Sequence, residues 1–141
     1  MKILILCTGN SCRSQMAQGF LQSFDKRLLV FSAGTEPAAR INPTAINVMK
    51  KAGVDISKNK PKNVDRFLNE DWDYVITVCD KAKKTCPVFP GKVRHRLHIG
   101  IDDPSQVKGS YVEIINEFYR VRNEIRDEFY KLYESEIRKK L

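Results

Sequence analysis

The sequence predicts an α/β fold: a single domain over residues 1–141, with a four-stranded parallel sheet flanked by helices on both faces in a Rossmann-like arrangement. Three observations predict it. Short apolar runs alternate along the chain with segments of helical period. A chain of 141 residues suits one core, and no internal repeat, low-complexity tract or linker divides it. The first apolar run passes into the first helical segment through Cys7-Thr8-Gly9-Asn10-Ser11-Cys12-Arg13-Ser14, a strand-to-helix turn at the end where parallel sheets bind ligands.

The elements follow in order. Ile3-Leu4-Ile5-Leu6 within residues 2–6 reads as a fully buried strand. Residues 13–25, with Met16, Phe20 and Phe24 in step, read as an amphipathic helix. Leu28 to Phe31 is a second strand, ending at Ser32-Ala33-Gly34-Thr35. Pro43 to Ala52 is a helix, with Pro at its start and Gly53 just past its end. Asn63 to Leu68 forms a short helix. Tyr74 to Val78 is the third strand and Val93 to Ile99 the fourth. Beyond Asp102-Asp103-Pro104, Ile114, Phe118, Val121, Ile125, Phe129 and Leu132 recur at steps of three and four, which marks a long C-terminal helix.

The turn from Cys7 to Ser14 carries the chemistry. Backbone N–H groups in such a turn can point inward, and the following helix presents its positive end, which together make an anion cradle. Thr8, Gly9, Asn10, Ser11, Cys12, Arg13 and Ser14 are its candidate binding residues. Gly9 supplies backbone freedom, Asn10 tolerates a left-handed conformation and Ser14 can hydrogen-bond the thiolate. Cysteines at helix N-termini and beside Arg show pKa values of roughly 3.5–7.5. The cradle should therefore ionise Cys7, and the predicted chemistry is thiolate attack on a tetrahedral oxyanion. The alternative is a buried strand-end cysteine in an ordinary turn.

Composition limits the function classes. Basic residues number 25 against 17 acidic, a net charge of +8, which can steer an anionic substrate. The basic residues are spread out and no aromatic-interleaved stripe accompanies them, so nucleic-acid binding is not expected. The N-terminal apolar run is too short for a signal peptide and no stretch approaches membrane-spanning length. These features predict a cytoplasmic protein with no membrane partner and, at rest, reduced cysteines.

Cys79 follows the third strand and Cys86 lies seven residues on, before Pro87. Three readings are open. Both can be structural. They can form a zinc set with His95 and His98, although six intervening residues exceed the usual two to four. Or they can form a redox relay in which Cys79 attacks Cys7 and Cys86 attacks Cys79. The relay carries a condition: a helical 79–86 segment would hold the two thiols about 10 Å apart along its axis, whereas a disulfide needs Cα atoms within about 7 Å. Such a helix must loop out, and Lys81, Lys83 and Lys84 make the segment polar and exposed. Asp103 is the candidate general acid, since a carboxyl near an apolar wall can hold a proton near neutrality and Pro104 fixes its backbone. The neighbouring Asp102 is hard to separate from it.

The stretch from Cys7 to Ala17 resembles the signature of the low-molecular-weight protein tyrosine phosphatase superfamily. It is most similar to the thioredoxin-coupled arsenate reductase branch. Ser32-Ala33-Gly34, the Cys79/Cys86 pair, Asp103-Pro104 and the C-terminal helix extend the resemblance over nearly the whole chain. Ser11 and Gln15 stand where the phosphatases usually have an apolar residue and Pro. Ser105 and Gln106 stand where they tend to carry aromatics. The resemblance implies that Cys7 attacks arsenate, that Arg13 and the loop amides hold its oxygens, and that Asp103 protonates the leaving hydroxyl. Cys79 then attacks Cys7 as arsenite departs, Cys86 attacks Cys79, and thioredoxin resets the enzyme as electron donor, with no bound cofactor. Gln18 stands where many relatives have Glu, so no metal is expected, and a monomer is. The rival readings are a tyrosine phosphatase, with Cys7, Arg13 and Asp103 in the same roles and a phosphocysteine intermediate, and a non-catalytic anion-sensing module. Residues 58 to 62 are unusually basic for the branch.

Overall fold

A computed structural model describes all residues from Met1 to Leu141. Four strands, β1 (Lys2–Cys7), β2 (Leu29–Gly34), β3 (Trp72–Thr77) and β4 (Val93–His98), form one sheet in the order β2-β1-β3-β4. Every neighbouring pair is parallel. The helices are α1 (Arg13–Phe24), α2 (Pro43–Lys51), α3 (Asp80–Thr85) and α4 (Tyr111–Leu132). The chain leaves β1 toward β2 and then returns past β1 to β3. This reversal opens a crevice at the carboxyl ends of β1 and β3.

The two faces of the sheet are covered unequally. Ile3 and Ile5 point into the larger core with Met16, Leu21, Met49, Phe118, Val121, Ile125 and Phe129, and so bury α1, α2 and α4 against one face. Leu4, Leu6 and Val75 point the other way, into a smaller core. A short helical turn at Val64–Phe67, together with Trp72 and Phe89, closes it. This alternation on β1 explains why its sequence is continuously apolar.

Local signals act where the sequence places them. Asn42 caps α2 by accepting from the N–H groups of Thr44 and Ala45, Pro43 opens it, and Gly53 follows it at φ +82°. Ser110 and Glu113 form a reciprocal capping box on α4. The strands differ from expectation at their ends: β2 runs on to Gly34, and β3 starts at Trp72 and stops at Thr77. Gly34 pairs with Cys7, and a Cβ there would lie 2.4 Å from the Thr8 carbonyl oxygen, so β2 stays paired only because this position is glycine. After α4 the chain widens into a π-helical turn at Tyr133–Ile137, which buries Tyr133 and Ile137. No helix is long and apolar enough to cross a membrane.

Candidate active site

The loop from Thr8 to Cys12 turns its carbonyls outward. The carbonyl oxygens of Cys7, Thr8, Gly9, Ser11 and Cys12 accept from Thr35, Glu36, Ala38, Asn42 and Met16 respectively. In contrast, no backbone N–H from Gly9 to Ser14 finds a backbone acceptor in the protein. The loop runs directly into α1, whose first turn carries no acidic residue and whose cap position, Cys12, makes no side-chain capping bond. A row of donors and a positive helix end thus face one place, which is the requirement for binding an oxyanion.

Asn10 holds that shape. Its φ of 51° is the single positive value at a residue other than glycine. Its Nδ2 donates to Ser14 Oγ at 2.8 Å and to Ser32 Oγ at 2.9 Å, while its Oδ1 accepts from the Lys62 N–H at 2.9 Å. Ser32 in turn donates to Gln18 Oε1, and Gln18 Nε2 donates to the Val30 carbonyl. Two expectations change here. Gly9 has no positive φ, so the left-handed turn belongs to Asn10 alone. The Ser14 hydroxyl is engaged beneath the loop by Asn10 rather than by Cys7.

The cleft above the loop has a volume of about 650 Å³, and Thr8, Arg13, Cys79, Asp80, Lys81 and the Gly100–Asp103 segment line it. These residues follow β1, β3 and β4. Arg13 donates to the Ile101 carbonyl at 3.0 Å and lies 3.4 Å from Asp103 Oδ2. Asp103 Oδ1 accepts from the N–H and hydroxyl of Ser105. Polar donors therefore surround Asp103 where an apolar wall was expected. Asp102 is separated from it after all: its side chain is 79% exposed and pairs with Arg120.

Cys79 is the N-cap of α3. Its Sγ accepts from the Ala82 N–H at 3.4 Å and lies 3.3 Å from Thr8 Oγ1. Cys86 is the C-cap at the other end of the same helix, half-buried against the smaller core. All four thiols are free. The ionisation of the Cys7–Cys79 pair departs from expectation. The hydrogen bond with Cys79 and burial push the Cys7 thiol up, against Arg13, which draws it down. The same bond, with the Thr8 hydroxyl and the Ala82 N–H, brings Cys79 down to about 5. In the unliganded loop the two thiols therefore ionise as a pair, with Cys7 drawn up and Cys79 drawn down. Burial pushes Cys12 up to about 12, and its side chain packs into the larger core. Burial also raises Cys86, with Arg96 opposing.

The zinc set does not assemble. His98 bonds Thr77 and Asp80, His95 stacks on Tyr74, and no three His, Cys, Asp or Glu side chains converge on a metal position.

The model of the low molecular weight phosphotyrosine protein phosphatase family matches residues 2–141. The chain belongs to this family. Among its relatives are the arsenate reductases of Halalkalibacterium halodurans and Bacillus subtilis. Each is 43% identical over 124 residues, which cover 87% of this chain and 88% of the relative. A solved arsenate reductase in the phosphate binding state superposes with a TM-score of 0.78 at 30% identity, covering 93% of this chain and 95% of that one. A tyrosine phosphatase from Erwinia amylovora superposes at 0.79 but is 20% identical, which speaks for the fold alone. The protein is thus an enzyme of the low molecular weight phosphatase family, with arsenate reductases as its relatives. The signals that sequence reasoning missed lie in Gln15 and the backbone of residues 60–62, which contact the loop from far along the chain.

Proposed function

We propose that the chain reduces arsenate to arsenite through Cys7, Cys79 and Cys86. The observation that carries the reading is the placing of the thiols: Cys79 at the mouth of the anion loop, 3.3 Å from Thr8 Oγ1 beside Cys7, and Cys86 at the far cap of the same short helix.

Arsenate settles on the free N–H groups of Gly9 to Ser14, and Arg13 leaves Ile101 to hold its oxygens. The Cys7 proton passes by way of Cys79 to solvent as Sγ attacks arsenic, which leaves Cys79 a thiolate. An As–S bond forms, and a hydroxyl leaves as water with a proton from Asp103. The Cys79 thiolate then attacks Cys7 Sγ. An S–S bond forms, the As–S bond breaks, and its electron pair stays on arsenic, which departs as arsenite. Cys86 gives up its proton to solvent and attacks Cys79, which releases Cys7 as thiolate. The disulfide is then Cys79–Cys86, at the mouth of the site, where a cytoplasmic dithiol protein of the thioredoxin type reduces it by exchange. No bound cofactor takes part, and the protein acts as a monomer.

The test is multiple turnover of arsenate with thioredoxin, its reductase and NADPH, comparing wild type with Cys86→Ser. Wild type should cycle and the variant should stop after one turnover as a Cys7–Cys79 disulfide. If neither consumes NADPH and both hydrolyse an aryl phosphate equally, the protein is a phosphatase with a Cys7 phosphocysteine.

A further inference from the structure

Gln15 has no part in this chemistry, yet the loop is built around its carboxamide. It lies in the first turn of α1 and is fully buried. Its Nε2 is 3.2 Å from the Asn10 carbonyl oxygen, 3.1 Å from Asn10 Oδ1 and 3.2 Å from the Lys60 carbonyl oxygen. Its Oε1 has no partner. The orientation is dictated by the surroundings, because a flipped amide would set Oε1 against three oxygens. The fold leaves one buried acceptor unpaired in order to keep an NH₂ group at this point.

Lys60 and Lys62 belong to a strap that crosses behind the loop. The Lys62 N–H donates to Asn10 Oδ1 at 2.9 Å, and the Lys62 carbonyl accepts from the Gly34 N–H at 2.8 Å. The basic stretch from 58 to 62 thus contacts the loop through its backbone. The loop needs such support. Its free N–H groups converge, and their partial positive charges repel one another when no anion neutralises them. A cradle that keeps its shape unoccupied must be held from outside, and the free energy of ordering it is then not drawn from the anion.

We propose that Gln15 is a positioning residue for oxyanion binding, a latch that joins strap 60–62 to the anion loop and keeps Asn10 left-handed before the anion arrives. The proposal rests on the reading of the loop as an oxyanion cradle.

The test uses inorganic phosphate as the probe, titrated calorimetrically into the reduced full-length protein, with urea unfolding run in parallel. Gln15→Met keeps the length of the side chain and removes both donors. Its phosphate dissociation constant should rise about tenfold or more, since both buried donors are lost and the acceptors they served each lose a partner. In single-turnover disulfide formation, the half-saturating arsenate concentration should rise in parallel while the rate at saturation is retained, because bound anion re-forms the loop. Leu21→Val, in the core on the same helix, should lower the urea midpoint and leave phosphate affinity unchanged. Gln15→Glu supplies a second readout. Its loss of affinity relative to wild type should shrink on acidification, as the protonated carboxyl regains a donor. Unchanged affinity in Gln15→Met, or an equal loss in Leu21→Val, overturns the latch. Wild type that does not bind phosphate overturns the cradle itself.

Discussion

Oxidation of Cys79 and Cys86 must unwind α3. The two cysteines cap opposite ends of a six-residue helix, so their Cα atoms stand about 10 Å apart along the axis. A disulfide closes only within about 7 Å, and a helix cannot be compressed by about 3 Å while its hydrogen bonds stay intact. The structure offers little resistance. Ala82 alone is buried among the six residues. The bonds that must break all belong to this one short helix: its backbone ladder, which begins with Lys83 N–H to the Cys79 carbonyl, and the side-chain bonds Thr85 Oγ1 to the Lys81 carbonyl and Ala82 N–H to Cys79 Sγ. A helix this short has almost no stability of its own. Hydrogen exchange read by mass spectrometry over residues 79–90 is the assay, with the disulfide located in the same digest. Amides from Lys83 to Cys86 should be protected in the reduced protein and exchange as an open loop in the oxidised one, while α1 and α4 stay unchanged. A mapped Cys79–Cys86 bond with these amides still protected would refute the reasoning.

Asn10→Ala removes the hydrogen bonds to Ser14 and Ser32, strands the Lys62 N–H and forces a left-handed backbone on a residue that resists it; urea unfolding should show a loss of about 2–4 kcal/mol. Asp103→Asn should slow single-turnover disulfide formation by about 10²–10⁴-fold. Because it also frees Arg13 from its carboxylate, phosphate should bind no more weakly; an unchanged rate would remove Asp103 from the chemistry. Cys79 should titrate near pH 5 by thiolate absorbance, and Cys7→Ala, which leaves no donor, should move it up toward the ordinary 9.0, since the Cys7 hydrogen bond is the largest cause of its depression. A depressed thiol stabilises the folded state above its unfolded pKa, and this contribution fades as pH falls toward about 5. Cys7→Ala should therefore flatten that part of the stability profile between pH 9.0 and about 5.

The anion loop was legible because its determinants are local. The period switches from a buried strand to an amphipathic helix within a few residues, and Asn10 is a residue type that tolerates the left-handed turn, although Ser14, Ser32 and Lys62 hold it there. The order of thiol ionisation was not legible. It depends on Cys79, which arrives beside Cys7 from 72 positions away through β3 and reverses the effect expected of a helix end. The surroundings of Asp103 were misjudged for the same reason, because Arg13 reaches it across 90 positions. Gln15 registered in the sequence only as a departure from the phosphatase pattern, and its bonds to Asn10 and, across the strap, to Lys60 appear only once the chain has folded. The segment 79–86 carries too few apolar residues for a helical period to register, although Cys79 and Asp80 supply a start signal.

The smaller core has a spectroscopic consequence. Trp72 is the sole tryptophan, fully buried with its Nε1 donating to the Phe67 carbonyl and with Phe31 and Phe67 against its ring. Cys86 packs against the same cluster, and the anion loop does not belong to it. The indole is therefore placed to sense Cys86 leaving its seat and to ignore an anion arriving over Cys7. Intrinsic fluorescence should stay constant as phosphate is added and change when the disulfide reaches Cys86. The chain thus carries its own optical signal for the last intramolecular step, with no label attached.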